Sequence, residues 1–345
     1  MASSSEPART EAKIRTLAIR IIGWHWKWPV IVAGALLLAL LATAFGVHSD
    51  SMDVSGQGGV TLDPHLRTDF VLSLVSAYTL GAGLAGLGKA IRELDRLRPI
   101  LRLDESKFDL YRSRLFPNAR ALSTSGLIGG CIGATLSLLP LLDPAIRQSH
   151  PSVHSLPFMI LLFGLLGMMA MITHCQSQVF REVGRQHIET DLLDPEAFSP
   201  FAAVGLMNAG LWLVGSAIAS LLVTSTANMW VVIVVIIVTT GFGAAGLIVP
   251  SRGLHAHIRA RKREELAKIR HAIADERATL FSGSDRSSVP PRMNDMLAYE
   301  ARIESVREWP FDTSTLGRFA LFLLIPLVSW IGGALVERIV DSALG

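Results

Sequence analysis

Long stretches free of ionised side chains alternate along this chain with short basic segments. The uncharged windows run from Trp28 to Val47, Phe70 to Gly88, Ala121 to Leu142, Gln148 to Phe180, Ala197 to Ser251 and Phe319 to Val336. A helix crosses about 30 Å of hydrocarbon in roughly 20 residues. The fifth window holds 55 residues, a rod of about 80 Å at helical rise, and the polar run Thr224 to Asn228 interrupts it. It therefore reads as a helical hairpin. In the fourth window the Ser, His and Pro of residues 148–155 suit an aqueous loop, which places the span from about Pro157 to Cys175. The pattern predicts an all-α protein: a polytopic transmembrane helical bundle of about seven spans. The last of these contains Pro326, which a membrane helix tolerates.

The basic residues assign the orientation, because Lys and Arg are retained on the cytoplasmic side of a membrane. Five precede the first span, nine lie between the second and third, two between the fourth and fifth, and thirteen between the sixth and seventh. The opposite face carries only Arg67, Arg147 and Arg338. A division of 29 to 3 predicts N-in/C-out and supports the parity of the count, since a missed span would scramble the alternation. A bacterial inner membrane is the expected location.

Four segments follow from this reading. Residues 1–27 read as a cytoplasmic interfacial amphipathic helix, with Lys13, Arg15 and Arg20 among Ile14, Leu17, Ile21 and Ile22, ending in a belt of Trp24, Trp26 and Trp28. No small-residue cleavage site follows the first apolar run, so it is expected to stay as an anchor. Residues 28–251 hold spans one to six. Residues 252–317 read as a cytoplasmic helical hairpin: Leu266, Ile269, Ile273 and Leu280 form one stripe, a Ser/Gly/Pro linker follows at 282–291, and Met296, Leu297, Ile303 and Val306 form a second stripe. Two helices on this scale suggest a stalk. Residues 318–345 hold the seventh span and a short outer C-terminus.

Composition narrows the function classes. Half the residues are hydrophobic, 18% are charged, and mean hydropathy is +0.42, which points to lipid as the main solvent and partner. A net charge of +3 gives no footprint for nucleic acid. The predicted spans contain no Asp, Glu or Lys, which disfavours a carboxylate proton relay and an intramembrane enzyme. Mid-span polar groups are mostly hydroxyls, such as Ser73, Ser76, Thr135, Ser137, Ser216, Ser220, Thr239 and Ser329. His48, His65, His150 and His154 in outer loops match no ligand spacing, and Met168, Met169, Met171, His174 and Cys175 more simply fill gaps. No cofactor or metal is therefore expected.

Two features remain as candidate sites. The second, third and sixth spans are dense in glycine: Gly81, Gly83 and Gly86; Gly129, Gly130 and Gly133; Gly241 and Gly243. Small residues let helices approach closely in lipid, so these faces are expected to pack, to line a pore or to form a homo-oligomer; the cytoplasmic helices are a second oligomer surface. The seventh span, with Pro326, Ser329 and Trp330, is a candidate coupling helix between the stalk and the membrane. The function expected is that of a structural or interaction protein or a gated oligomeric pore. The alternative is a small-molecule transporter with a midplane cavity lined by Ser216, Thr239 or Ser329.

Overall fold

The structure is a computed structural model that describes residues 27–48, 64–138, 156–188, 194, 196–222, 229–281, 291–311, 313–326 and 328. The predicted interfacial helix up to residue 26, residues 49–63 and 139–155 of the predicted outer loops, and Ser329 and Trp330 lie outside them; His48 and His65, expected in the first outer loop, fall within helices. The described chain is all-helical, with no strands. Its helices are α1 (Trp28–His48), α2 (Pro64–Leu97), α3 (Glu105–Arg114), α4 (Ala119–Leu138), α5 (Leu156–Gln186), α6 (Ser199–Ala219), α7 (Met229–Phe281), α8 (Pro291–Ser305) and α9 (Thr313–Pro326).

Five of them, α1, α2, α4, α5 and α6, contain stretches long and apolar enough to cross a membrane. Their outward faces agree: Leu38 and Leu127 are 70% and 69% exposed, and Val30, Ile31, Ile128 and Ile132 also point outward. In water such belts would forfeit the hydrophobic gain of burial; in lipid they cost nothing.

Contacts give the directions. Gly81 of α2 meets Ala33 and Pro29 of α1, while Ala44 packs with Val71 and Leu72, so α1 and α2 are antiparallel. Gly126, Gly129 and Gly133 of α4 meet Met168, Phe163 and Met159 of α5 in reverse order. Gly184 of α5 meets Leu254 of α7, and Gly253 of α7 meets Arg181, so those two are parallel. α6 opposes α7, with Gly205 against Leu247 and Gly243 against Leu213. Helices α2, α5, α7 and α6 thus form a four-helix ring in which α2 touches α5, α5 touches α7, α7 touches α6 and α6 touches α2. α4 packs outside against α5, and α1 outside against α2.

Three helices outrun their apolar segments. α2 has 34 residues, α5 has 31 and α7 has 53; the last is a rod of about 80 Å. Pro250 lies inside α7 without ending it, so the boundary expected at 251/252 falls within one continuous helix. The charged ends of α2, α5 and α7, together with α3 and α8, make a basic end with its own core. Leu87, Leu94, Leu97, Phe108, Leu115, Phe180, Val183, Phe201, Leu254, Ile258, Ile269 and Ile303 are all buried there. The two-helix stalk does not stand alone: its Ile269 and Ile303 complete this core, and Leu266, Ile273 and Val306 pack against it. Leu297, placed on the same stripe from sequence, is exposed.

Local signals act where geometry permits. Asn118 caps α4, its side-chain oxygen accepting from the Ala121 N–H at 2.8 Å. At α6 the cap falls on Phe198, with no side-chain cap bond, and Pro200 sits in the first turn.

Candidate functional site

A pore would need the predicted glycine faces to converge. A Cβ added at Gly81 would lie 2.7 Å from the Ala33 Cβ of α1, and one at Gly83 would lie 2.7 Å from the Met169 Sδ of α5. One at Gly86 would sit 3.5 Å from Met207 of α6. On α4, Gly129 and Gly133 face the backbone of α5, with the Met159 carbonyl oxygen 2.5 Å from the Gly133 position, and Gly130 faces Ile160 at 3.5 Å. Gly243 meets Leu213 of α6 at 3.2 Å. The glycines therefore point into five different helix pairs and are not gathered around one lumen. At Gly241, beyond its own helix backbone, no atom of the described residues lies within 4 Å of an added Cβ. Pro326 is buried at the end of α9, and α9 reaches the bundle through Phe322, which packs on Gly210 of α6.

Six of the eight predicted mid-span hydroxyls, Ser73, Ser76, Thr135, Ser137, Ser216 and Ser220, bond to their own helices. Ser73 donates to the Asp69 carbonyl at 2.6 Å, Ser76 to Leu72 at 2.7 Å, Thr79 to Val75 at 2.8 Å, Ser137 to Gly133 at 3.0 Å, and Ser216 to Leu213 at 2.9 Å. A hydroxyl that bonds back satisfies its donor inside the helix and leaves little to line a path.

The chemistry-bearing groups collect instead at the basic end. The Tyr111 hydroxyl of α3 donates to Glu182 Oε1 at 3.0 Å and stands 3.0 Å from His187 Nε2. Arg114 pairs with Glu182 at 3.1 Å and lies over the Tyr111 ring. Next to this cluster the chain after α2 is tied to the end of α5, where the Arg102 N–H donates to the His187 carbonyl at 2.9 Å. The nine basic residues between the predicted second and third spans suggest a loop there, but the chain forms α3 within it. The signal was present: Phe108, Tyr111 and Leu115 fall at helical spacing and bury.

α8 is clamped along α7. Lys262 donates to the Glu304 and Val306 carbonyls at 2.7 and 2.8 Å, completing the last turn of α8. Arg270 holds Glu300 and Glu304 at 2.7 and 2.6 Å. The His255 ring stacks on Trp309, centroids 4.2 Å apart, and its Nδ1 stands 3.0 Å from the Glu308 carbonyl. These pairings make α7 and α8 antiparallel. Burial pushes the His257 imidazole below its ordinary value, with the Arg261 charge adding to the effect and a bond to the Arg185 backbone opposing it.

Comparison with known protein families, with characterised proteins and with solved structures finds no match.

Proposed function

We propose that this is a seven-span membrane protein of the bacterial inner membrane, with its N-terminus and basic end in the cytoplasm and its C-terminus outside. Its role is that of an interaction scaffold, in which the membrane bundle and the cytoplasmic core form one mechanical body. The observation that carries this reading is the unbroken run of α2, α5 and α7 from apolar segments into a single buried core with α3 and α8. A hinge between membrane and cytoplasm would need a break in those helices, and the described chain has none there. The uncharged first part of α7 supplies the sixth span and α9 begins the seventh. Lipid surrounds the bundle, and the open side of α7 at Gly241 is the remaining glycine surface for a second copy.

The scaffold is favoured over the gated pore because the glycine faces are occupied by neighbouring helices of the same chain. It is favoured over the transporter because Ser216, a predicted cavity hydroxyl, bonds back to its own helix. Neither an enzyme activity nor a nucleic-acid partner is proposed. Purified protein in liposomes tests the choice: K⁺ and Cl⁻ flux should equal that of empty vesicles, and protein-dependent flux would replace the scaffold by the pore.

A further inference from the structure

The diagonal helices α5 and α6 of the ring each bury a primary amide that the hydroxyl pattern of the spans does not reveal. Asn208 of α6 and Gln176 of α5 are 0% and 1% exposed. Among the described residues, neither Oδ1 nor Nδ2 of Asn208 has a hydrogen-bond partner, and neither does Oε1 of Gln176. Buried polar atoms are nearly always satisfied, and leaving an amide unpaired in an apolar interior costs roughly 1–3 kcal/mol on protein scales. Two such side chains within one helical turn of each other call for a physical reason.

The level follows from their neighbours. The Phe180 and Phe201 rings meet edge to face with centroids 5.6 Å apart, and Met169 packs in one cluster with Leu211 and Trp212. These two contacts fix an antiparallel register between α5 and α6. In it Asn208 stands opposite Thr173, and Gln176 is one helical turn away on the same side. α5 and α6 are the diagonal members of the ring and make little backbone contact. Their separation is kept by the large side chains above and below, Trp212 with Met169 and Phe201 with Phe180. Between these spacers in the register stands Asn208, with Gly246 of α7 against it: a Cβ added there would lie 3.0 Å from the Asn208 Cβ.

The geometry points to a water-sized polar binding site between Asn208 and Gln176, which takes one neutral group able both to donate and to accept a hydrogen bond. Asn208 offers the Nδ2 donors and the Oδ1 acceptor, and Gln176 offers Oε1 as an acceptor. A cation is disfavoured because the described core has no carboxylate at this depth and Nδ2 presents its own donor. An anion meets two carbonyl oxygens. Water has the matching chemistry, as does the hydroxyl or amide of a small solute, and cores of four-helix bundles are where such sites are built.

A double-mutant cycle on the full-length protein in detergent tests the site, using Asn208→Leu, Gln176→Leu and both together. If the amides share a bound group, each single change lowers the melting temperature by roughly 3 °C or more. The double change then costs clearly less than the sum of the singles. If the amides are merely unpaired, apolar replacement relieves them; single variants that melt at or above the parent, or additive changes, overturn the proposal. The source is read from the unsubstituted protein, which has four asparagines, so selective ¹⁵N-Asn labelling gives a spectrum in which Asn208→Leu identifies one side-chain signal. Magnetisation transfer from water to that signal identifies water. No transfer, with a small neutral mass retained in native mass spectrometry, identifies a solute. Coupling with neither signal means that the two amides bond directly to each other, and the site does not exist.

Discussion

Replacing Gly133 by Ala tests the seam that fixes α4 to the bundle. The new Cβ would stand 2.5 Å from the Met159 carbonyl oxygen, 2.9 Å from its carbon and 3.0 Å from the Phe163 Cβ. Ordinary contact begins near 3.4 Å, so α4 must retreat by about 1 Å. The obstructing atoms are backbone or Cβ, and no rotamer change can move them. Retreat also loosens the Gly129 and Gly126 contacts, because all three glycines share one face of α4 against Met159, Phe163 and Met168. Overpacking of this kind costs about 1–3 kcal/mol, and the better helix propensity of Ala returns at most about 1 kcal/mol. The net loss of about 1–2 kcal/mol lowers the melting temperature by roughly 2–8 °C, measured as surviving monodisperse protein on gel filtration after heating in detergent. Gly34→Ala on α1 is the control: beyond its own helix backbone, no described atom lies within 4 Å of its added Cβ, and it should melt at or slightly above the parent. A Gly133→Ala protein as stable as the Gly34→Ala protein would refute the close backbone approach of α4 and α5.

Two further predictions concern the basic end. Lys262→Met removes both bonds to the last turn of α8 while keeping the aliphatic stem; at about 1 kcal/mol per net hydrogen bond, amide exchange across Pro291–Ser305 should rise about fivefold or more, with α4 unchanged. His257 is held below its ordinary value of 6.5 mainly by burial, so the folded state takes up its proton less readily than the unfolded chain. Its contribution is fully present above pH 6.5 and is lost as pH falls through 6.5 toward the folded value. His257→Gln should therefore flatten the decline in melting temperature between pH 7 and 5, and an unchanged slope would show that His257 is solvated in the folded protein.

The long apolar helices were legible because lipid-exposed and core-facing residues are both apolar, so the absence of charge over about 20 residues is a signal that needs no partner. The glycines were legible as places of close approach, but sequence does not say which helix approaches; Gly81, Gly83 and Gly86 lie on one helix and meet three different neighbours. α3 was missed because it is short and charged, and its Phe108, Tyr111 and Leu115 gain a core only once the ends of α2 and α5 are in place. The partner of the stalk's apolar stripes was illegible for the same reason: the surface that covers Ile269 and Ile303 comes from distant parts of the chain. Asn208 and Gln176 escaped because a rule that counts only charges treats an amide as harmless, although a buried amide needs partners that its own helix does not provide.

Transmembrane topology is the most direct test of the central claim, that α2, α5 and α7 carry one folded core to the cytoplasmic side of a seven-span bundle. Paired reporters, one active only in the periplasm and one only in the cytoplasm, would be fused after residues 60, 285 and 345. The periplasmic reporter should be active after 60 and 345, and the cytoplasmic one after 285. A cytoplasmic signal after residue 60 or 345, or a periplasmic one after 285, would contradict the architecture.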